Sequence, residues 1–327
     1  MDRKAKRLAT LVGCNYLKTR NELHGCINDV RAMRGVLVGR FGFEAENIQL
    51  LTDEPESPAH LIPTGSNIRA ALARMVDRAL PGDVLFFHYS GHGTLIPSHA
   101  HGNRNKHDEA IVPVDFNLIT DVDFRCLVNR LPEGASFTVF SDSCHSGGLI
   151  DKEKEQIGPH DHHPTSDPPP RRPKFIPFQS ILDHLSSTSG IQSPPQNEIA
   201  PHLLHLFGAE VSPKFKSPSS EDLQPQKLLQ QPLAPDNGIL LSGCQTDETS
   251  ADMDPDDDGS GSKAYGAFSN AVQMVLKAHQ GPITNRELVT RARELLRATG
   301  FTQHPCLYCS DNNADATFLW EPARSSF

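Results

Sequence analysis

The stretch SDSCHSGG (141–148) sets a thiol beside an imidazole. A cysteine nucleophile reacts as its thiolate, so it needs a base that takes its proton or a charge that lowers its pKa. His145 is adjacent, but if strand geometry runs on through Cys144, successive side chains point to opposite faces and the two are sent apart. A second imidazole is better placed. FFHYSGHGT (86–94) ends a strand-like run in Ser90-Gly91-His92-Gly93, where flanking glycines free the backbone to turn and leave the ring uncovered. A lone histidine at a strand end is usually only a polar residue, whereas two such ends with glycines and complementary chemistry suggest a cysteine–histidine couple. The same period of two puts Asp142 on the face of Cys144 and Ser90 on that of His92. A carboxylate would raise the pKa of a nearby thiol, which assigns Asp142 to a substrate cation instead. The Ser-Gly-Gly after His145 could turn N–H groups toward a developing oxyanion, as acyl transfer requires.

Positioning this couple takes strands and helices in alternation. Apolar runs at 7–16, 83–90, 136–143, 238–244 and 305–310 have the length and bounding turns of buried strands. Helical periodicity falls at 28–40, 66–80, 121–131, 266–279 and 284–299. That alternation predicts a parallel sheet, whose sites form at the carboxyl ends of strands, where His92 and Cys144 lie. Between the third strand and the fourth, residues 152–235 hold 15 of the 26 prolines and read as a linker. Two apolar pieces inside it, FQSILDHL (178–185) and IAPHLLHLF (199–207), are expected to dock as helices. No internal repeat is present.

A chain of 327 residues with 37% hydrophobic composition can bury a sizeable core. Its net charge of −9 and lack of a long basic run argue against nucleic acid or an anionic membrane as partner and suit a basic substrate. Seven scattered cysteines do not resemble a disulfide framework, no run is long enough to span a bilayer, and a cytoplasmic protein is expected.

Taken together, HYSGHG and DSCHSGG, with His92 and Cys144 separated by 52 positions, resemble the metacaspases of the caspase-like clan of cysteine peptidases. NELHGCINDV (21–30), DEAIVPVDF (108–116), ITDVDF (119–124), GILLSGCQTDETSAD (238–252), KAYGAFSNA (263–271) and HPCLYCSDNNADATFL (304–319) extend the resemblance. The arrangement without a Pro-rich prodomain is similar to the plant type II members. The resemblance implies a caspase-like α/β/α sandwich with a mostly parallel central sheet flanked by helices. It divides the chain into a large catalytic subunit (1–151), a linker with an autoprocessing site (152–235) and a small subunit that completes the sheet and cleft (236–327). Cys144 is then the nucleophile and His92 the general base and acid. Asp29 and Asp142 form an acidic pocket for Arg or Lys, lined by Ser90 and Cys26; two carboxylates hold a cation in a way that an Asp substrate could not exploit. The family's zymogens cut themselves after a basic residue, here Lys174 in PKFIPF; Arg172 is poorer because Pro173 follows, and Arg171 is an alternative. Partners would be proteins or peptides with basic residues at the cut, in regulated proteolysis such as cell death or stress responses, and a monomer is expected. No cofactor is required. Calcium-dependent relatives use carboxylates that match Asp121 and Asp151, with Asp108. Val122 stands where those relatives carry a second aspartate, and a cation that wants roughly six to eight oxygens loses by that change, so strict calcium dependence is not expected. An inactive peptidase-like scaffold and a peptide ligase sharing the acyl-enzyme are the competing readings.

Three other signals have plainer explanations. Asp254, Asp256, Asp258 and Gly259 begin a calcium-loop pattern, but Tyr265 stands where its glutamate belongs. His160, His162 and His163 lie in a Pro-rich stretch that offers a zinc ion no scaffold. Cys306 and Cys309 form a CxxC on a strand and are expected in the core.

Overall fold

The computed structural model describes residues 3–97, 107–144, 146–150, 154–158, 172–191, 198–216, 238–245, 248–253 and 263–319. Its central sheet is built from the apolar runs: β1 (Arg7–Gly13), β3 (Val84–Ser90), β7 (Ser136–Asp142) and β10 (Gly238–Ser242), with β2 (Ile48–Thr52) at one edge and β13 (Cys306–Tyr308) and β8 (Glu155–Ile157) at the other. The order is β2-β1-β3-β7-β10-β13-β8. The first five strands run parallel, β13 is antiparallel to β10, and β8 is antiparallel to β13. Strands buried on both faces read as unbroken apolar runs, which is why Val84–Ser90 is buried at every position.

Helices cover both faces. On one, α1 (Cys26–Gly39), α6 (Ala267–Ala278) and α7 (Asn285–Ala298) pack through Met33, Phe268 and Leu288 against Phe86, Phe140 and Leu307. On the other, α2 (Gly65–Asp77) and α3 (Asp121–Val128) pack through Leu72 and Phe124 against Phe87, Phe137 and Val139. The period of two thus sorts Phe86 and Phe87 to opposite cores. Thr64 caps α2, and a capping box of Thr120 with Asp123 opens α3. This is the α/β/α sandwich that the residues imply.

Within 152–235 the described residues are structured. Besides β8, they form β9 (Arg172–Pro173), α4 (Phe178–Ser189) and α5 (Ala200–Phe207). Ile181, Leu185 and Leu203 of these helices join Val112 and Leu118 in a third core outside the sheet. Two smaller sheets complete the scaffold. One holds β4 (Gly93–Pro97), β5 (His107–Ile111) and β6 (Ile119–Thr120); in the other, β11 (Ala251–Met253) lies between β12 (Tyr265–Gly266) and β9.

Several details depart from expectation. β2 and β8 add edge strands to the central sheet, and the smaller sheets add short strands, where no strand was read. β3 and β7 end at Ser90 and Asp142, so His92 and Cys144 sit in the turns beyond, and strand alternation stops short of Cys144. Among the described residues no helix is long and apolar enough to cross a membrane.

Candidate active site

β3 and β7 are neighbours, with Ser90 paired to Asp142. The turns carrying His92 and Cys144 therefore leave the sheet from adjacent points. Gly93 lets them close up, since a Cβ there would collide with the Cys144 carbonyl oxygen.

Asp29, in the first turn of α1, and Asp142, the last residue of β7, are buried on either side of Ser90. The Lys174 side chain fills the space between them and is 0% exposed. Its Nζ lies 3.4 Å from Asp29 Oδ2 and 3.3 Å from Asp142 Oδ1, and donates to Ser90 Oγ at 2.9 Å. The start of α6 supplies donors to both carboxylates: Gly266 N–H to Asp29 (2.9 Å to Oδ1) and Ser269 N–H to Asp142 Oδ2 (2.8 Å). The dipole at this helix end also favours negative charge. Ser90 donates to Asp29 at 2.7 Å and Ser250 to Asp142 at 3.0 Å. No side chain fits at position 266, where a Cβ would strike Lys174 Nζ and both carboxylates. Cys26, one turn before Asp29, is buried, and its thiol interacts with Lys174 and Ser90.

Burial works against the Lys174 ammonium, but Asp142, Cys26 and Asp29 more than offset it and raise its pKa. Burial raises the pKa of the Asp29 carboxyl, Lys174 pulls it back down, and Asp142 adds to the rise. The groups hydrogen-bonded to the Asp29 carboxyl are all donors, so the pocket is completed by the ionised carboxylate.

The Lys174 backbone is held as closely as its side chain. Its carbonyl accepts from Gly93 N–H at 3.0 Å and Cys144 N–H at 3.2 Å, and its N–H donates to the Ser250 carbonyl at 2.9 Å. On one side, Arg172–Pro173 pairs with β11; on the other, Phe175 bridges Gly93, whose carbonyl accepts from Ile176 N–H at 3.1 Å. The chain is thus extended across the Lys174–Phe175 peptide bond.

His92 Nε2 is 2.8 Å from the Asn21 backbone carbonyl. A carbonyl only accepts, so the proton is on Nε2, and Nδ1, buried and without a hydrogen-bond partner, is the free lone pair. Burial lowers the His92 pKa to about 4 although the Asn21 bond opposes it, and the ring is neutral near pH 7. Tyr16 packs 4.7 Å from it, centroid to centroid, and receives the His92 N–H at 3.0 Å; Tyr89 donates to the His92 carbonyl at 2.8 Å. Cys144 Sγ lies 3.0 Å from the Ser250 nitrogen and 3.6 Å from its carbonyl oxygen.

His92, Cys144, Asp29, Asp142, Ser90, Cys26 and Lys174 therefore converge. Sequence reasoning missed Asn21, Ser250 and Gly266, and read Gly93 only as freedom for the turn at His92. Only Gly266, a glycine just before a periodic apolar helix, left a trace in the pattern. Asp108 and Asp121 also come together, on either side of the Lys214 ammonium, at 2.9 and 3.0 Å. Cys306 and Cys309 are buried and not disulfide-bonded. Asp151, His145, Arg171, the histidines at 160–163 and the acidic loop at 254–259 lie outside the described residues.

Residues 6–317 match the family model described as "Caspase domain". The chain is 57% identical to Metacaspase-9 of Arabidopsis thaliana, covering 97% of this chain and 98% of that one. With Metacaspase-6 of the same plant the identity is 40%, over 95% and 99% of the two chains. In fold it is similar to a solved protein of Geobacter sulfurreducens (TM-score 0.59, 19% identity, 95% and 97% covered) and to caspase-1 of Spodoptera frugiperda (TM-score 0.50, 10% identity, 94% and 88% covered). The chain belongs with the plant metacaspases, cysteine-type endopeptidases built on the caspase domain.

Proposed function

We propose that this peptidase cleaves after Lys or Arg, and that the chain is a zymogen whose first substrate is its own Lys174–Phe175 bond, between a large catalytic part (1–151) and a small one (236–327). One observation carries the reading: the Lys174 ammonium sits between Asp29 and Asp142 while its carbonyl faces the amides of Gly93 and Cys144. Two buried carboxylates at the end of a pocket select a cation by charge-assisted contacts, and a carboxylate side chain there would be repelled.

The chemistry follows from the free atoms. The Cys144 thiol leaves the Ser250 carbonyl and gives its proton to His92 Nδ1. The thiolate adds to the Lys174 carbonyl carbon, and the oxygen that becomes negative is held by the Gly93 and Cys144 N–H groups, an oxyanion hole. Asn21 keeps the imidazole in the tautomer that can act. His92 then passes the proton to the Phe175 nitrogen, the C–N bond breaks, and a new N-terminus departs at Phe175. Water, deprotonated by His92, releases the acyl-enzyme and leaves a carboxylate at Lys174. Until that cut, Lys174 closes the pocket to other substrates.

The test is N-terminal sequencing of fragments from purified chain and from Cys144→Ala. The intact chain should yield a fragment beginning at Phe175 and hydrolyse a reporter peptide ending in Arg; Cys144→Ala should do neither. Self-cleavage by the alanine variant would sink the mechanism.

A further inference from the structure

We propose that Lys214 is the resident cation of the Asp108/Asp121 site: its ammonium stands where a divalent metal ion would bind and fastens residues 198–216 to the catalytic body. Asp121 opens α3, where the helix dipole favours a negative charge, and Asp108 comes from β5. Their oxygens converge on Lys214 Nζ, with the three side chains only 19–21% exposed. Burial disfavours this ammonium, but Asp121 and Asp108 more than offset the effect, and it remains protonated.

Among the described residues the donor set does not fit calcium, which takes roughly six to eight oxygen ligands. Asp108 Oδ2 and Asp121 Oδ1 are already bonded to the ammonium. The next carboxylate along, Asp123, is committed elsewhere: Oδ2 accepts from the Thr120 nitrogen (2.9 Å) and hydroxyl (3.1 Å), and Oδ1 lies 3.9 Å from Arg69. Val122 brings no oxygen. Among the described residues, no group of three or more His, Cys, Asp or Glu could hold a metal ion.

The ammonium is also held from its own side. Its backbone N–H donates to Ser212 Oγ at 3.3 Å, and that hydroxyl is 2.9 Å from Thr120 Oγ1. Two residues earlier, Glu210 accepts from Ser66 (2.6 Å) and Asn117 (3.0 Å), and Val211 and Phe215 are buried in the third core. A tethered cation competes with dissolved ions at a high effective concentration, so a metal ion would have to displace Lys214 and loosen this seam. A cut after Lys174 leaves the seam on the C-terminal fragment with its contacts intact. The site then carries its cation both before and after processing.

The test uses the full chain with Cys144→Ala, so that self-cleavage cannot confuse the readout. Millimolar calcium or a chelator should leave its thermal midpoint unchanged. Adding Lys214→Met should lower the midpoint by several degrees and speed amide exchange across 208–216, and a further Asp121→Asn should cost less in that background than in the Cys144→Ala parent. A rise in midpoint with calcium while Lys214 is in place would overturn the proposal. So would a Lys214→Met variant with unchanged midpoint and exchange. Should Lys214→Met not fold, Lys214→Arg and Asp121→Asn decide: the first should retain the parent's slow exchange at 208–216 and the second lose it, and the reverse refutes the assignment.

Discussion

Two lysines in this chain are each held between two aspartates, and they do different work. Lys174 is wholly buried between Asp29 and Asp142; Lys214 is 19% exposed between Asp108 and Asp121. The charge arrangement is nearly the same. The main chain is not: the Lys174 carbonyl faces two amide donors beside a thiol and a free imidazole lone pair, whereas the Lys214 backbone is wound into a 3-10 turn, Pro213–Phe215. On the proposed reading, a lysine between carboxylates becomes a substrate only when its peptide bond is extended across nucleophile and oxyanion donors. Otherwise it is a fastener.

The comparison breaks most completely if the chemistry beside Lys174 is removed. His92→Ala should lower turnover of a basic reporter peptide by about 10²–10⁴-fold, making Lys174 as inert as Lys214. His145→Ala should leave more activity than His92→Ala; equal losses would return His145 to the role of base. Next in size is the pocket cation itself. Lys174→Ala should slow cutting at that bond by about 30-fold or more, the effect of a buried charge pair losing one partner, while Lys174→Arg and Lys214→Met should still be cut there. Mass spectrometry of the fragments separates these cases.

The smallest effect is on stability. His92 and His88 both sit in the layer around the pocket, and burial lowers their pKa values from 6.5 to about 4 and about 3. The unfolded chain takes up these protons near pH 6.5 and the folded chain does not, so stability falls as pH drops from 6.5 toward 4. His88→Leu in the Cys144→Ala chain should flatten that fall by about 1.4 kcal/mol per pH unit, read from denaturant midpoints. An unaltered slope would remove His88 from the account.

How much of this was legible in the residues depended on what carried each signal. Buried strands such as VLFFHYS announce themselves by composition, and β3 and β7 place the couple because their ends hold glycine, histidine and cysteine. β2 was missed because it is an edge strand with half-buried positions at Gln49 and Leu50, which blurs both the apolar run and the alternation. Asn21 acts only through its backbone carbonyl and leaves no side-chain mark to read; Ser250 touches Lys174 and the thiol through its main chain, and its hydroxyl on Asp142 looks like any other serine in the sequence. Lys214 was invisible for another reason. A lysine in a Pro-rich stretch looks solvated until the fold brings Asp108 and Asp121 to it.

The ladder that seats Arg172–Pro173 on β11 and Phe175 on Gly93 closes within one polypeptide. If the Lys174–Phe175 bond is the first one cut, as proposed, enzyme and first substrate are a single molecule, and the collision that normally limits a proteolytic event is replaced by folding. Conversion of such a precursor would be first order: its half-life would be the same in dilute and concentrated solution, and a newly made chain would need no encounter with an already active copy to mature.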